Sequence, residues 1–320
     1  MLKYLVILLD DTSTSYCHYN NEKSKPNLIA LEDLKAGILY AMKENLTIQF
    51  VYPTYELPEE YKELIYSVEH NKIVPIEACE SGEVVVCNSW KDLNKSHFDE
   101  NSIYIFRTDK KQWFKNYKLL ADILEKITRL NVMITDIETF TEEDFKEYKF
   151  ILEFFSKELE QLYLKDKFIQ LNLLTDRIML TAMNNCNAGD ENITLAPDGK
   201  FYICPAFYQA NSKTTIEEKA TSIGNIKSGL NIKNPQLLRL SHAPLCRNCD
   251  AYQCKRCVWL NRKSTLEINT PSHEQCVISH LERNTSRELL SNIRKHKVFM
   301  PDKEIKEITY LDPFDVRKEW

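Results

Sequence analysis

Short apolar runs alternate with amphipathic stretches over residues 1–176. The runs Tyr4–Leu9, Thr47–Tyr52, Glu83–Cys87, Ile103–Arg107, Val132–Asp136 and Ile169–Leu174 are read as strands. They lack the alternation of a half-exposed strand, as parallel strands covered on both faces do. The shorter run Ile73–Ile76 fits either a further strand or a connection. Between the runs, Leu31, Leu34, Ile38 and Met42 repeat at helical spacing, as do Trp113, Tyr117, Leu120, Leu124 and Ile127. Phe145, Tyr148, Ile151, Phe154 and Phe155 mark a third helix, with Thr141-Glu142-Glu143-Asp144 as its capped start. Repeated β–α units predict an α/β domain with a parallel sheet. Six such units suit either an open sheet or a partial barrel, and periodicity does not choose between them.

From about Thr181 the pattern changes. Asn184–Gly189 reads as a loop, and Ile193–Ala196 and Phe201–Cys204 flank the turn Pro197-Asp198-Gly199-Lys200, which predicts a β-hairpin. Residues 205–245 are irregular. Pro271-Ser272-His273-Glu274 opens a helix that carries Cys276 and runs to about Lys297. The pattern divides the chain into an α/β domain at 1–180, a cysteine-rich domain at 181–300 and a tail at 301–320.

Composition narrows the function classes. The chain has 320 residues and a net charge of −5, which gives no support for nucleic-acid or anionic-membrane binding. The apolar start Met1–Leu9 is short, runs into Asp10-Asp11 and reads as a buried strand rather than a signal peptide. No run is long enough to span a bilayer. A reducing cytoplasm is therefore expected, where ten cysteines favour metal over disulfides. Only six glycines occur, and no phosphate- or dinucleotide-binding fingerprint is present.

The cysteines carry the strongest signal. Seven fall in the last part of the chain: Cys186, Cys204, Cys246, Cys249, Cys254, Cys257 and Cys276. Four of these lie within twelve residues, as two C-x-x-C pairs four residues apart. Thiolates are soft ligands suited to iron–sulfur clusters and zinc. Zinc ribbons usually separate their pairs by a dozen or more residues, so a cluster is the first expectation and zinc the alternative.

The segment 183–280 resembles a SPASM domain, the cluster-binding module of radical-SAM peptide-modifying enzymes. The resemblance rests on Cys186, Gly199-x4-Cys204, the four-cysteine loop and Cys276, together with Leu195-Ala-Pro-Asp-Gly199 and Gly224-Asn225-Ile226. The loop departs from the family pattern in that two of its gaps are one residue shorter. The resemblance implies one or two 4Fe–4S clusters. Cys246, Cys249, Cys254 and Cys276 would hold one; Cys186, Cys204 and Cys257 would hold the other, with an open iron or with Asn187, Asp190 or Asn192 near it.

Two family elements are missing. The C-x3-C-x2-C motif expected after the first strand is replaced by Asp10-Asp-Thr-Ser-Thr-Ser-Tyr-Cys17-His18-Tyr-Asn20. The glycine-rich segment expected after the second strand is replaced by Val51-Tyr-Pro-Thr-Tyr-Glu-Leu-Pro58. The N-terminal domain thus resembles a degenerate radical-SAM partial (β/α)6 barrel, with no S-adenosylmethionine site. The whole chain is similar to the CXXX-repeat peptide maturase family. That implies an iron–sulfur accessory protein acting beside a true radical-SAM peptide maturase on a Cys-repeat precursor peptide. A peptide-modifying enzyme using an open cluster or Cys17, and a zinc-stapled interaction module, are the alternatives.

Weaker signals remain. Cys17 and His18 would sit at the sheet's C-terminal mouth, where α/β active sites gather. Asp10 and Asp11 share that place and suit capping, solvation or acid–base work. Cys79 and Cys87 read as core cysteines. His242 and His273 flank the cage as substitutes for a thiolate. Lys255, Arg256, Arg262 and Lys263 form a local basic patch, either solvated or tuning a cluster. The aromatics Phe201, Tyr202, Phe207 and Tyr208 read as core.

Overall fold

The structure is a computed structural model and describes residues 2–78, 81–93, 98–210 and 222–300. Cys79 and the tail at 301–320 lie outside the described residues. Along the chain the elements are β1 (Tyr4–Leu8), α1 (Leu31–Lys43), β2 (Thr47–Val51), α2 (Glu59–Tyr66), β3 (His70–Pro75), β4 (Val84–Cys87), α3 (Trp90–Leu93) and β5 (Ile103–Thr108). Then come α4 (Lys110–Asn116), α5 (Ala121–Leu124), β6 (Arg129–Ile134), α6 (Glu142–Leu164), β7 (Gln170–Leu171), β8 (Asn192–Leu195) and β9 (Lys200–Tyr202). The last are α7 (Ala206–Gln209), β10 (Gly224–Asn225), β11 (Gly229–Leu230), α8 (Val258–Thr265) and α9 (His273–Lys295).

The chain forms two compact units that interleave in sequence. One holds Met1–Cys87 and Asn187–His242; the other holds Asn88–Cys186 and the chain from Ala243 onward. Each unit therefore draws on both the 1–180 and the 181–300 segments.

In the first unit β1 pairs in parallel with β2, β2 with β3, and β3 with β4. On its other side β1 pairs in parallel with β8, which starts the antiparallel run β8–β9–β10–β11. The expected hairpin is thus built onto the parallel strands, and its turn forms at Gly199, whose φ of +72° suits glycine. Leu5, Val6, Ile7 and Leu8 are all fully buried, as their unbroken apolar run requires. Helix α1 buries Leu34, Gly37, Ile38 and Ala41, while Met42 is exposed, so the buried face is turned from the stripe expected. Gly37 lies where an added Cβ would come within 2.4 Å of Leu195, which brings helix backbone against β8.

In the second unit β5, β6 and β7 run parallel. Strand β6 starts earlier than its apolar run, because Ile103–Thr108 pairs residue by residue with Arg129–Ile134. Asp136 then leaves the strand, and its Oδ1 accepts from Lys110 N at 2.8 Å. Strand β7 is cut to two residues, yet the Asn172 side chain continues the ladder. Its Oδ1 accepts from Val132 N at 2.8 Å and its Nδ2 donates to Val132 O at 2.9 Å. The helix expected over 113–127 breaks into α4, a 3-10 turn at Tyr117–Leu120 and α5. Three residues per turn align Tyr117, Leu120 and Ile123, which are all buried. Helix α6 begins with the predicted cap: Thr141 and Asp144 exchange side-chain-to-backbone bonds. It packs against α9 through Tyr148, whose hydroxyl donates to Glu282 at 2.6 Å.

Candidate functional site

Each unit carries one loop in which candidate side chains gather. In the first unit it follows β1. Asp10 is fully buried, and its carboxylate accepts four bonds. They come from Thr12 N at 2.8 Å, Thr12 Oγ1 at 2.5 Å, Asn27 N at 2.7 Å and the Tyr55 hydroxyl at 2.8 Å. Asp11 accepts from the Tyr208 hydroxyl at 2.5 Å and meets Lys23 Nζ at 3.5 Å. Burial, then the bonded carboxylates, push the Tyr55 and Tyr208 hydroxyls well up. Gln209 at the end of α7 donates to Ser13 O at 2.6 Å and Asp11 O at 3.2 Å, and accepts from the Tyr19 hydroxyl. Cys17 is buried inside this network and His18 is half-buried.

Asp10 is thus neither solvated nor a helix cap. It organises the loop through the four donors that its carboxylate accepts. Tyr55, from the segment that follows β2, reaches back to close it.

In the second unit the cysteine loop is a series of tight turns. Cys246 N donates to Ala243 O at 3.0 Å, Cys249 N to Cys246 O at 3.0 Å and Cys254 N to Ala251 O at 2.9 Å. Cys257 precedes α8 and its carbonyl accepts from Asn261 N at 2.9 Å. The loop is fastened to α9. Buried Asp250 meets Arg283 Nη1 and Arg287 Nη2, each at 2.5 Å. Arg177 ties both sides, donating to Asp250 O and to Arg283 O at 3.2 Å each. Gln253 Nε2 donates to Ser279 O at 3.4 Å.

The sulfurs lie among these contacts. Cys249 Sγ accepts from Ala251 N at 3.4 Å and lies 3.6 Å from His280 Nε2. Burial pushes the Cys254 thiol up, partly offset by hydrogen bonds from Ser279 and the Arg256 backbone. Cys276 sits on α9 one turn before His280, on the same side of the helix. Burial also raises the Glu282 carboxyl to about 7, against the Tyr148 hydrogen bond and the Lys255 charge.

Among the described residues, no three His, Cys, Asp or Glu side chains stand at the spacing of one metal ion. What fits a metal is the donor set: Cys246, Cys249, Cys254 and Cys257 on the loop and Cys276 on α9 are soft ligands of the kind that clusters and zinc take. Arg177 is pulled down to about 10 by burial and by the like charge of Arg287, with Asp250 opposing and Arg283 adding to the fall.

Cys246, Cys249, Cys254, Cys257, Cys276 and Cys186 all belong to the second unit; Cys204 belongs to the first. His242 and His273 are exposed, and the His273 ring packs edge-on against Phe145. The histidine against a cage sulfur is His280, which sequence reasoning missed; its signal was the spacing Cys276-x3-His280 at the head of a helix. The basic patch is not a unit: Arg256 is buried, while Lys263 pairs with Glu138 and lies over the Trp259 ring. Cys87, Phe201 and Tyr202 are core, and Phe207 and Tyr208 are half-buried.

No family model matches the chain, and no curated protein matches it. The solved structure of hexahistidine-tagged anSMEcpe with bound AdoMet is similar over 92% of this chain and 96% of that one, at 13% identity and a TM-score of 0.60. Native anSMEcpe with bound AdoMet and Kp18Cys peptide is similar over 91% and 99%, at 13% identity and a TM-score of 0.61. At that identity the likeness is one of fold. The chain has the fold of these structures, mixed α/β with a large sheet whose central strands run parallel. No described helix is long and apolar enough to cross a membrane.

Proposed function

We propose that the chain is an iron–sulfur accessory protein in the maturation of a ribosomally made, Cys-repeat precursor peptide. It acts in the cytoplasm beside a separate radical-SAM enzyme, in precursor binding or electron transfer. Cys246, Cys249, Cys254 and Cys276, all of the second unit, hold one 4Fe–4S cluster. When bound, such clusters carry single electrons or anchor a substrate atom.

The carrying observation is that the 249–254 turn is bonded to the face of α9 one to three turns beyond Cys276. Asp250, Gln253 and Cys249 meet Arg283, Arg287, Ser279 and His280 there. Those contacts hold the link between the two C-x-x-C pairs and the helix that bears the last cysteine in one arrangement. The fold likeness to a protein solved with AdoMet and a peptide supports the peptide setting. The Asp10–Tyr55 network, standing where the AdoMet-cluster motif and glycine-rich turn are expected, supports an accessory role.

Anaerobic purification with iron and sulfide analysis tests the reading. The expected result is a brown protein absorbing at about 400 nm with about four irons per chain, roughly one cubane. A colourless protein with stoichiometric zinc overturns it. Incubation with the precursor peptide alone is expected to give binding without a change in peptide mass; a mass change without a partner enzyme overturns the accessory role.

A further inference from the structure

We infer that His280 is a positioning residue of the centre held by Cys249: its Nε2–H donates a hydrogen bond to the Cys249 sulfur and raises the reduction potential of the cluster bound there. The inference rests on the iron–sulfur reading above.

His280 is 1% exposed, so its ring is held by α9 and its neighbours rather than by solvent. Its Nε2 stands 3.6 Å from Cys249 Sγ, and the Ala251 N–H reaches the same sulfur at 3.4 Å. A loop backbone N–H and a helix ring nitrogen thus converge on one sulfur. A neutral thiol is a weak acceptor, whereas hydrogen bonds to an ionised acceptor are shorter and stronger. The arrangement is suited to a sulfur that carries charge, as a metal-bound thiolate does. The donor is also mechanically coupled to the cage, because Cys276 lies one helical turn before it.

Cys249 would supply the ligand, and His280, 3.6 Å from its sulfur, would supply the hydrogen bond to it. Hydrogen bonds to cluster sulfurs withdraw charge from them, which favours the reduced, more negative form and raises the potential. Removing the donor therefore makes the cluster harder to reduce.

The experiment compares the anaerobically reconstituted full chain with His280→Phe, which keeps an aromatic ring and removes the donor, and His280→Gln, which keeps an N–H. Iron and sulfide per chain are measured first, then the midpoint potential by EPR-monitored redox titration, then nitrogen couplings by pulsed EPR with 15N-labelled histidine. Iron is expected to be unchanged in both variants. The reduction equilibrium constant of His280→Phe is expected to fall about tenfold, about 59 mV for one electron, with His280→Gln between it and wild type. Wild type is expected to show a weak histidine nitrogen coupling that vanishes in His280→Phe.

An unchanged potential with iron retained overturns the inference. So does a strong, directly bonded nitrogen coupling with loss of iron in His280→Phe, which would make His280 a ligand. If a variant fails to fold, absence of the weak coupling in wild type is sufficient to overturn it. Wild type that binds no iron instead shows that the iron–sulfur reading itself has failed.

Discussion

The Asp10–Asn27 loop and the Cys246–Cys257 loop both gather polar groups that a surface loop would leave to water, but they use them differently. In the first, side chains satisfy the loop itself: one buried carboxylate takes four donors, and Gln209 and Tyr208 close the rim. In the second, Asp250, Gln253 and three arginines fasten the loop to α9, while the cysteines line the fastened turns. A loop that completes its own hydrogen bonds is organised without a ligand. A loop fastened at its margins, with soft donors along it, is a scaffold for something added. Two loops in one chain thus show one network that closes on itself and one that is fastened to a neighbouring helix.

The largest effect expected to sharpen this contrast is from Cys276→Ala. It should lower iron by about four per chain, one cubane, with the matching loss of visible absorbance. Equal iron in variant and wild type would break the contrast, because the second loop would then need no metal ligand from α9.

Asp250→Ala should come next. It leaves Arg283 and Arg287 without this shared carboxylate, and removing one partner of a buried pair costs about 3–5 kcal/mol. Denaturant unfolding reads it; a cost below about 1 kcal/mol would place the pair among weak surface contacts and remove the fastening argument.

Glu282 gives a pH test of the same helix face. Its folded-state carboxyl is raised to about 7 from an ordinary 4.5, so the folded chain holds this proton more tightly than the unfolded chain. The stabilisation is full below about pH 4.5 and is lost as pH rises through about 7, on the order of 3 kcal/mol in all. Unfolding from pH 4.5 to 8 at fixed metal content should show that decline, and Glu282→Gln should flatten it.

In the first loop, Asp10→Ala should cost about 2–3 kcal/mol, since buried donors lose a charged acceptor. It should leave iron content unchanged. Cys17→Ser should have the smallest effect, with iron and any peptide binding as in wild type. Loss of iron in either variant would show that the first loop also takes part in metal binding and would collapse the distinction.

Much of the fold was legible because burial on both faces leaves unbroken apolar runs: β1, β2, β4 and β5 lie within a residue or so of their expected bounds. The Thr141–Asp144 and Ser272 caps were legible because capping chemistry is local. The 3-10 turn at Tyr117–Leu120 was hidden, since a three-residue spacing also fits one side of an ordinary helix. The shortening of β7 was hidden for another reason: the Asn172 side chain performs a backbone task there. The turns of the cysteine loop left a mark in the sequence as close cysteine spacing, but the contact of His280 with Cys249 did not, because a single histidine in a helix is ordinary until a sulfur is found beside it.

By itself the sequence determined which residues seek the interior, where helices start, and which side chains offer soft donors, since each of these depends on near neighbours along the chain. Only the tertiary structure decided that the hairpin β8–β9 extends the strand that begins the chain, that Asp10 is an acceptor saturated by Thr12, Asn27 and Tyr55, and that Asp250 and Cys249 meet α9. Those pairings join residues far apart in sequence, and their energies depend on burial and distance, which no local pattern encodes.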